Sequence, residues 1–421
     1  MLINGIKNSI IVNFKIGEIY RANKFAKRII ELGEAGHRVS EVSELLGVEI
    51  AYTKNFIKEL SDQNLVRISS EPKPDRIMIN NPQHLDFLWI EVTSKCNLHC
   101  SHCYADVESK QVVDPSADDI KNWLNEAAEL GCIKVQFTGG ECTIRSDLRD
   151  LIDHAKKRGF KTIEVFTNGT LLTEPLIQYF SENGIQVAIS LYSYRSETHD
   201  SITGIRGSFK KTLGSLKLLL AYNVPIRCSV IAMKQNEDEL DGTCYFLNEM
   251  GILCNTPDPI RPTGRGIDRE NWPKEYGLSS IQSKPDFFVN RELYEKSISS
   301  NNCWFGKIAI TSEGNILPCV FAREQIAGNI KERGLFNVIN EEMVKFWGLN
   351  KDQVGVCKDC EYRYLCHDCR PWAYGFTGNL YAKSPKCTYD PYTGKWGNAD
   401  TALSLENAVT PVTPTCELKR R

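Results

Sequence analysis

Short apolar runs alternate with amphipathic stretches through the middle of the chain. Six runs predict strands, at 87–92, 132–137, 161–166, 185–191, 226–232 and 252–255. Between them, apolar residues recur at helical spacing near 120–130, 146–158, 173–183, 208–222 and 237–250. Six such alternations predict a parallel sheet, because each helix then serves as a crossover. Ligands of parallel sheets bind at the carboxyl ends of the strands.

The N-terminal part of the chain has a different pattern. It predicts a strand at 9–14 and a helix at 20–32, which Gly33 closes. The segments "RVSEVSELLGV" and "AYTKNFIKELSDQNLV" predict two further helices, followed by a β-wing at 66–69 and 76–79. This order predicts a winged-helix-like α+β module over residues 1–80, joined to the next domain by "EPKPDRIMINNPQH".

Composition divides the rest of the chain. The strand–helix alternation predicts a domain over residues 85–257, and the polar, Gly/Pro-rich segment 258–300 predicts a connection. Residues 301–390 carry many cysteines and little periodicity, as expected of a domain held together by metal. The tail, 391–421, has no clear core pattern, and we expect it to be mobile at its end.

The charge balance excludes some classes of partner. Lys+Arg 51 against Asp+Glu 53 gives no field that would attract nucleic acid or a membrane surface. Residues 1–85 contain 12 Lys/Arg and 10 Asp/Glu, so the winged-helix-like module lacks the basic stripe that DNA binding favours. The sequence shows neither a signal peptide nor a membrane-spanning run, which predicts a cytoplasmic protein.

Sixteen cysteines are the unusual feature of the composition. In a reducing compartment, clustered thiols bind metal more often than they form disulfides. Cys96, Cys100 and Cys103 follow the first predicted strand with the spacing C-x3-C-x2-C. A four-iron cluster needs four ligands, so three cysteines leave one iron open to a small molecule. A zinc site that lacks one cysteine is the alternative for this triplet.

Further motifs follow the next three predicted strands. They are "TGGEC" at 138–142, "TNGT" at 167–170 and "SLYSYRSETHDSITGIRGSF" from Ser190. Together with the triplet, these motifs resemble the radical S-adenosylmethionine (SAM) superfamily over residues 87–257. The resemblance implies an α/β fold, a partial (β/α)6 TIM-like barrel, in which SAM binds to a [4Fe–4S] cluster.

The resemblance also implies roles for individual residues. Cys96, Cys100 and Cys103 would ligate the cluster, and Glu141 would accept the ammonium group of SAM. The other implied SAM contacts are His102, Gly139, Gly140, Asn168, Ser190 and Arg206. A proline often follows the glycine–glycine–glutamate motif in this family, whereas here the residue is Cys142, which leaves the loop geometry open. The implied chemistry is cleavage of SAM to a 5′-deoxyadenosyl radical, and no further catalytic residue stands out.

Seven cysteines near the end of the chain form a second group. They are Cys303, Cys319, Cys357, Cys360, Cys366, Cys369 and Cys387. With "ITSEGNILPCVF" and "AGNI", they resemble the SPASM domain, an iron–sulfur module of peptide-modifying radical SAM enzymes. Cys366 and Cys369 enclose two residues where the family pattern has three.

The SPASM resemblance implies two auxiliary clusters, hence three [4Fe–4S] clusters in all. Auxiliary cluster I would be held by Cys303, Cys319 and Cys369, with an open iron that a substrate thiolate can occupy. Alternatively, Cys142 or Cys254 closes that site. Auxiliary cluster II would be held by the remaining four cysteines, Cys357, Cys360, Cys366 and Cys387.

Beside a SPASM domain, the N-terminal module resembles the precursor recognition element of ribosomal peptide maturases. That element adds a leader peptide as a strand to an exposed sheet edge. Such tethering can give an effective concentration of around 1 mM. We therefore expect a thioether-forming maturase of the sactipeptide or ranthipeptide type. Its partners would be a cysteine-containing precursor peptide with a leader and a reductant such as flavodoxin or ferredoxin.

Three alternatives stay open at this point. Two are enzymes: a peptide cyclase that forms carbon–carbon crosslinks, and an enzyme that forms formylglycine, as anaerobic sulfatase maturases do. The second of these would not need the N-terminal module. The third is an iron–sulfur DNA-binding sensor, which would have no use for Glu141 and the SAM loops.

Overall fold

The structure, a computed structural model, describes residues 1–69, 84–106, 113–254, 257–273, 287, 289–367 and 369–397. Its helices are α1 (Lys24–Glu34), α2 (Val39–Leu46), α3 (Ile50–Asp62), α4 (Ala117–Glu129), α5 (Leu148–Lys157), α6 (Glu174–Asn183), α7 (Ser196–Thr203), α8 (Ser208–Ala221), α9 (Leu240–Glu249), α10 (Arg291–Ser299), α11 (Leu335–Val338), α12 (Val344–Trp347) and α13 (Arg370–Thr377). In the described part of the chain, no helix has the length and apolar character needed to cross a bilayer.

The strands follow the same numbering along the chain. They are β1 (Leu2–Asn4), β2 (Ser9–Asn13), β3 (Glu18–Ala22), β4 (Phe87–Glu91), β5 (Lys134–Thr138), β6 (Thr162–Thr167), β7 (Gln186–Ser190), β8 (Ile226–Ser229), β9 (Ile231–Ala232), β10 (Asp258–Pro259), β11 (Lys307–Ile310), β12 (Asn315–Leu317), β13 (Gly328–Asn329), β14 (Tyr389–Asp390) and β15 (Lys395–Trp396).

An eight-stranded sheet in the order β13-β12-β11-β4-β5-β6-β7-β8 forms the centre of the molecule. Strands β4 to β8 run parallel, with Leu88 opposite Val135 and Val165 opposite Val187. Alternate strand residues such as Leu88 and Ile90 pack with apolar residues of the helices between these strands. The predicted α/β fold class is confirmed. The first four predicted strands lie within two residues of the observed ones, and the fifth, 226–232, covers both β8 and β9.

The sixth predicted strand, 252–255, is wrong over its described part. Residues 252–254 form a loop after α9, in which the Ile252 N–H donates to Leu247 O at 2.9 Å. The apolar run therefore reflects packing at the end of a helix. The strand that follows β9 is β10, which pairs with it in parallel through Asp258 opposite Ile231.

In the N-terminal module, the sheet β1-β2-β3 precedes the helices. The predicted helix start is wrong, because Tyr20 lies in β3 and pairs with Ile11. Helix α1 begins after Asn23, whose Oδ1 accepts the Ala26 N–H at 2.7 Å, a common N-cap arrangement. The predicted end is wrong too, since α1 continues through Gly33. The wing does not form over 66–69, which contain no strand, and 76–79 lie outside the described residues.

The N-terminal sheet is buried on both faces. One face, with Ile11 and Tyr20, packs against α1, α2 and α3. The other face packs against the cysteine-rich region, and its core contains Ile3, Ile10, Val12, Ile19, Tyr294, Tyr362, Tyr364, Leu365 and Tyr389. The turn between β1 and β2 adds hydrogen bonds to that region, including Ile6 N–H to Asp359 O at 2.8 Å. The module is therefore built into the rest of the protein.

The cysteine-rich region extends the central sheet. Strand β11 pairs with β4 in parallel, with Lys307 opposite Phe87, and β12 and β13 continue the sheet in antiparallel order. The predicted connection contains β10 and α10 in its described part, while 274–286 lie outside it. The β14–β15 hairpin crosses the predicted start of the tail at 391, and 398–421 lie outside the described residues.

Candidate active site and auxiliary cysteine sites

Cys96, Cys100 and Cys103 lie on the loop that follows β4, at the carboxyl end of the parallel strands. This loop is fixed to the end of α7, where the His99 N–H donates to Thr203 O at 2.8 Å. Burial raises the pKa of Cys96 to about 11 and that of Cys100 to about 12, and the neighbouring thiols add to both rises. The three thiols therefore interact with one another, and a bound cation is needed to hold them as thiolates.

Neither cysteine group has the geometry of a mononuclear metal site. Among the described residues, no three His, Cys, Asp or Glu side chains converge as ligands of one metal ion do. Zinc places its ligands around a single point, whereas a four-iron cluster distributes them around a larger cube.

Gly139 and Gly140 bring the loop after β5 into contact with the cysteine loop. The Gly140 N–H donates to Thr93 O at 2.9 Å. A Cβ atom on Gly139 would lie 2.4 Å from Thr93 O, and a Cβ atom on Gly140 would lie 2.2 Å from Lys95 O. Contact between the two loops therefore requires both glycines. Their expected role in admitting the methionyl group of SAM stays a prediction.

Glu141 is buried and connects the loops after β5 and β6. Its Oε1 accepts the Thr143 N–H at 3.0 Å and the Thr167 hydroxyl at 2.7 Å, and its Oε2 accepts the Asn168 N–H at 2.7 Å. A carboxylate can accept about four hydrogen bonds, two on each oxygen. Since Oε2 has one donor among the described residues, it can still accept a hydrogen bond from an ammonium group.

Three of the other predicted SAM contacts also lie at the cysteine loop. Asn168 Nδ2 donates to Asn97 Oδ1 at 3.0 Å and so supports that loop. His102 packs edge-on against Tyr192, with ring centroids 4.7 Å apart. The Ser190 side chain forms a hydrogen bond with Tyr192. Their direct contact with SAM stays a prediction.

Several buried polar atoms beside the triplet have no hydrogen-bond partner within the described part of the chain. They are Ser101 Oγ, His102 Nδ1 and His199 Nε2. Burial lowers the pKa of His102 and of His199 to about 4, so both rings are neutral near pH 7. Buried polar atoms normally find partners. A polar ligand such as SAM fits this place, because it offers both donors and acceptors.

Arg265 reaches the site, although it belongs to no motif in the sequence. It lies in the turn after β10, and its backbone N–H donates to Cys103 O at 2.9 Å. Burial, and then the Arg265 charge, lower the pKa of His102, and the same charge offsets part of the rise that burial gives Cys100. The polar, Gly/Pro-rich composition of 258–300 predicts only a connection, so it does not indicate that this segment reaches the site. Arg206, another implied SAM contact, lies exposed on the turn after α7, and its contact with SAM stays a prediction.

Two ion pairs lie on the face of the sheet that points away from the helices. Arg323 contacts Glu91 at 2.5 Å, and Arg227 contacts Glu164 at 2.8 Å. Glu91 and Glu164 alternate along their strands with residues of the main core, which places them on this inner face. Isolated charged residues in strands form no motif, so sequence reasoning did not identify them.

The C-terminal cysteines surround one cavity. Its volume is about 480 Å³, and its lining includes Cys303, Cys319, Cys357, Cys360, Cys366, Cys369 and Cys387. Basic side chains, among them Arg261 and Lys386, also line it. The cavity therefore combines thiol ligands with positive charge, which suits anionic iron–sulfur clusters.

Within this cavity, one thiol group contains the residues expected for auxiliary cluster I. Burial raises the pKa of Cys319 to about 12, and Cys303 and Cys369 add to the rise. These three thiols therefore lie near one another. Their role as ligands stays a prediction.

The second thiol group contains three of the four residues expected for auxiliary cluster II. Burial, and then the buried Glu361 carboxylate, raise the pKa of Cys360, and Cys357 and Cys366 act in the same direction. Cys387 lines the same cavity. The assignment of these four residues to one cluster stays a prediction.

Both residues proposed as alternative ligands of auxiliary cluster I lie elsewhere. Cys142 is fully buried, and its thiol donates to Phe166 O at 3.3 Å inside the barrel domain. Cys254 forms a disulfide with Cys244. Neither lines the cavity, so the alternative that one of them closes the site is wrong. Cys142 also begins a short 3₁₀ turn, which settles the loop geometry left open by the missing proline.

The matched families agree with this arrangement. Residues 90–247 match the Radical SAM superfamily, and residues 303–361 match SPASM, an iron-sulfur cluster-binding domain. The solved structure of native anSMEcpe with bound AdoMet (SAM) covers 73% of this chain and 95% of its own, at 19% identity and a TM-score of 0.52. Streptococcus suis SuiB bound to precursor peptide SuiA covers 92% of this chain and 98% of its own, at 16% identity and a TM-score of 0.55.

Curated relatives match about three quarters of the chain. An AdoMet-dependent heme synthase from Methanosarcina barkeri is 29% identical over 336 residues, which cover 72% of this chain and 95% of the relative. The antilisterial bacteriocin subtilosin biosynthesis protein AlbA from Bacillus subtilis is 26% identical over 324 residues, 73% of this chain and 71% of AlbA.

Fold, cysteine sites and matches together define a radical SAM enzyme with a SPASM domain. SAM and [4Fe–4S] clusters are its cofactors.

Proposed function

We propose that this enzyme modifies a ribosomally made precursor peptide by joining a cysteine sulfur to a carbon atom. The observation that carries the proposal is the three-cysteine group of Cys303, Cys319 and Cys369. Apart from the four cysteines expected for auxiliary cluster II, no other described cysteine lines the cavity, and Cys416 lies outside the described residues. An iron with an open position accepts a thiolate readily. A peptide cysteine is therefore the substrate group that this site fits.

Different residues of the chain bind the iron–sulfur cluster and SAM. SAM bound at the cluster supplies a 5′-deoxyadenosyl radical, which removes a hydrogen atom from the substrate. Cys96, Cys100 and Cys103 hold the cluster as thiolates, and Glu141 accepts the SAM ammonium at Oε2. Arg265 offers a positive charge to the SAM carboxylate, because it already lies close to Cys100. Burial of the loops around these groups keeps water away from the radical.

The proposed reaction balances once the cleavage of SAM is included: one electron from the reductant would break the C5′–S bond of SAM and give methionine and the adenosyl radical. One C–H bond of the acceptor residue breaks, and its hydrogen atom leaves with the adenosyl group. The S–H proton of the peptide cysteine is released, and a C–S bond forms. One electron remains, and we propose an auxiliary cluster as its acceptor.

The N-terminal sheet offers a place for the leader of such a peptide. Strand β3 pairs with β2 on one side, and no other described strand pairs with its outer edge. A free strand edge presents N–H and C=O groups that an extended peptide can pair with. We propose that the leader binds there as an additional strand.

The likeness to SuiB supports this placement. Residues 1–82 make up about a fifth of the chain, so a match that covers 92% of it includes most of them. The anSMEcpe structure, in contrast, covers 73%. SuiB was solved with its precursor peptide, and it shares the fold of this chain over nearly its whole length.

Mass spectrometry of a candidate cysteine-containing peptide tests the reaction. After incubation with enzyme, SAM and reductant, the product should lose two hydrogen atoms, and one thiol should resist alkylation. Loss of two hydrogens with every thiol still alkylated would instead show a carbon–carbon crosslink. Loss of the cysteine sulfur would show formylglycine formation, and an unchanged peptide would oppose the proposal.

The cofactor assignment has its own control. Replacing Cys96, Cys100 and Cys103 with Ala should abolish formation of 5′-deoxyadenosine, while the auxiliary clusters stay detectable by EPR. Continued cleavage of SAM would show that the cluster ligands lie elsewhere. A DNA-binding sensor predicts a gel shift that changes with Cys100→Ala and involves no SAM cleavage at all.

Hydrogen exchange tests the leader site without removing part of the protein. Leader peptide should slow amide exchange in β3 and leave the short strand β1 unchanged. Deletion of residues 1–80 is a poor test, because it would expose the apolar surface that faces Ile3 and Ile10. Protection confined to other parts of the chain would refute leader binding at β3.

A further inference from the structure

The turn between β1 and β2 lies directly on the loop that carries Cys360. The Ile6 N–H donates to Asp359 O at 2.8 Å, just before that cysteine. Arg363, which follows the cysteine in the same loop, donates through Nη1 to Asn4 O at 2.6 Å and to Cys360 O at 2.8 Å. The N-terminal sheet is therefore hydrogen-bonded to this loop on both sides of Cys360.

Gly5 permits this contact because it has no side chain. A Cβ atom at this position would lie 2.7 Å from the backbone nitrogen of Glu361 and 2.8 Å from its carboxylate Oε2. Both distances are shorter than van der Waals contact, and a backbone nitrogen cannot rotate away as a side chain can. An alanine in place of Gly5 would therefore displace the backbone next to Cys360.

One face of the N-terminal sheet packs on the residue that contacts the Cys360 sulfur. Tyr362 belongs to the same buried core as Ile3 and Ile10 of that face. The backbone N–H of Tyr362 donates to Cys360 Sγ at 3.4 Å. The packing of the sheet therefore fixes the backbone group that orients this sulfur.

The same turn also contacts the segment that follows Cys387. Asn8 Nδ2 donates to the Tyr389 hydroxyl at 3.3 Å. That hydroxyl in turn donates to the Glu361 carboxylate, which is fully buried. Tyr389 therefore joins the turn, the Cys360 loop and the segment after Cys387 in one hydrogen-bonded chain. Two segments that are distant in sequence, each with a cysteine of the second thiol group, meet at the N-terminal sheet.

We propose that the turn between β1 and β2 positions the ligands of auxiliary cluster II, with Gly5 as the positioning residue that sets its distance from the Cys360 loop. Groups around a metal site orient the ligands, and their loss lowers metal affinity. The N-terminal sheet thus has a second role, assembly of this cluster, besides the leader binding proposed above. The inference rests on the ligand assignment of auxiliary cluster II.

Gly5→Ala tests the inference, and Gly33→Ala is the matched control. Gly33 lies exposed in α1, where a Cβ atom would meet nothing within 4 Å. Both variants are made in the full chain that carries Ala at Cys96, Cys100 and Cys103, so that only the auxiliary clusters bind iron. The measurements are the iron content after anaerobic reconstitution and the EPR spectrum of the reduced protein.

The background protein should bind about eight irons, which fill two four-iron clusters. Gly5→Ala should bind about half of that iron and lose the EPR signal that the double variant Cys366→Ala/Cys387→Ala also lacks. Gly33→Ala should match the background protein in both measurements. Full iron content in Gly5→Ala, an equal loss of both auxiliary signals, or loss of only the signal that Cys319→Ala lacks would overturn the inference.

A reciprocal measurement keeps the inference testable if Gly5→Ala does not fold. Hydrogen exchange of the Ile6 amide reports its bond to Asp359 O, which a bound cluster II should stabilise. Exchange at Ile6 should be about tenfold faster in Cys366→Ala/Cys387→Ala than in the background protein, and unchanged in Cys319→Ala. Equal exchange at Ile6 in these two variants would contradict the inference. Failure of the ligand assignment has a separate signature, because Cys366→Ala/Cys387→Ala would then keep about eight irons.

Discussion

The buried pair between Arg323 and Glu91 gives a sharp test of how the cysteine-rich region is joined to the barrel domain. Arg323 follows the Cys319 loop, and Glu91 ends β4. The guanidinium meets both carboxylate oxygens, with Nη1–Oε1 at 2.5 Å and Nη2–Oε2 at 3.3 Å. Side-chain exposure is 14% for Arg323 and 4% for Glu91. Arg323→Ala would leave the Glu91 charge buried without a partner.

The loss of stability in Arg323→Ala follows from the burial of Glu91. Removing one member of a buried ion pair costs about 3–5 kcal/mol, because the remaining charge loses its compensation. An exposed pair contributes about 0–1 kcal/mol. Arg333 and Glu341 form such a pair, with side-chain exposures of 42% and 57%. Arg333→Ala is therefore the matched control.

Hydrogen exchange of the holoenzyme measures the effect locally. Since about 1.4 kcal/mol is a factor of ten, the amides of β4 and β11 should exchange about two to three and a half orders of magnitude faster in Arg323→Ala. Arg333→Ala should change them less than about tenfold. The double variant Arg323→Met with Glu91→Gln should recover most of the protection, because no buried charge remains. Equal effects of Arg323→Ala and Arg333→Ala would refute the reasoning.

Three further predictions follow from the site and its surroundings. Gly140→Ala should lower the free energy of unfolding by about 1–3 kcal/mol and reduce the amount of iron bound at the triplet. Gly214→Ala, in open space on α8, should raise the free energy of unfolding by about 0.5–1 kcal/mol. Thermal unfolding and iron analysis measure these effects. Burial lowers the pKa of His199 to about 4, so the unfolded state binds more protons between pH 6.5 and 4, and stability falls as the pH is lowered. Urea unfolding should show about 1.4 kcal/mol less of this loss between pH 7.5 and 5.5 in His199→Gln. Cys142→Ala and Cys254→Ala should each leave the auxiliary iron content unchanged, because neither side chain lines that cavity; a loss of iron would restore the closed-site alternative.

The parallel strands could be predicted because each contains apolar residues in a short run and helical segments separate the runs. Shorter elements carry too few residues to show a period. Strand β10 has two residues and depends on pairing with β9, which the sequence does not display. Tyr20 fitted a helical pattern, yet long-range pairing with Ile11 places it in a strand. Tertiary pairing outweighs local preference in such cases.

The site could be predicted where its residues follow a motif at a strand end. The triplet and Glu141 meet at the carboxyl ends of β4 and β5 for this reason. Arg265 belongs to no motif, and only the fold brings it to the cysteines.

The two-sided burial of the N-terminal sheet bears on attempts to build chimeric enzymes. A graft of residues 1–69 from a homologue would have to match the tyrosine-rich surface formed by Tyr294, Tyr362, Tyr364 and Tyr389. Altering substrate choice by exchanging this segment alone would leave mismatched apolar surfaces in contact. A design that transplants the facing residues together with the segment preserves the packing between these two surfaces.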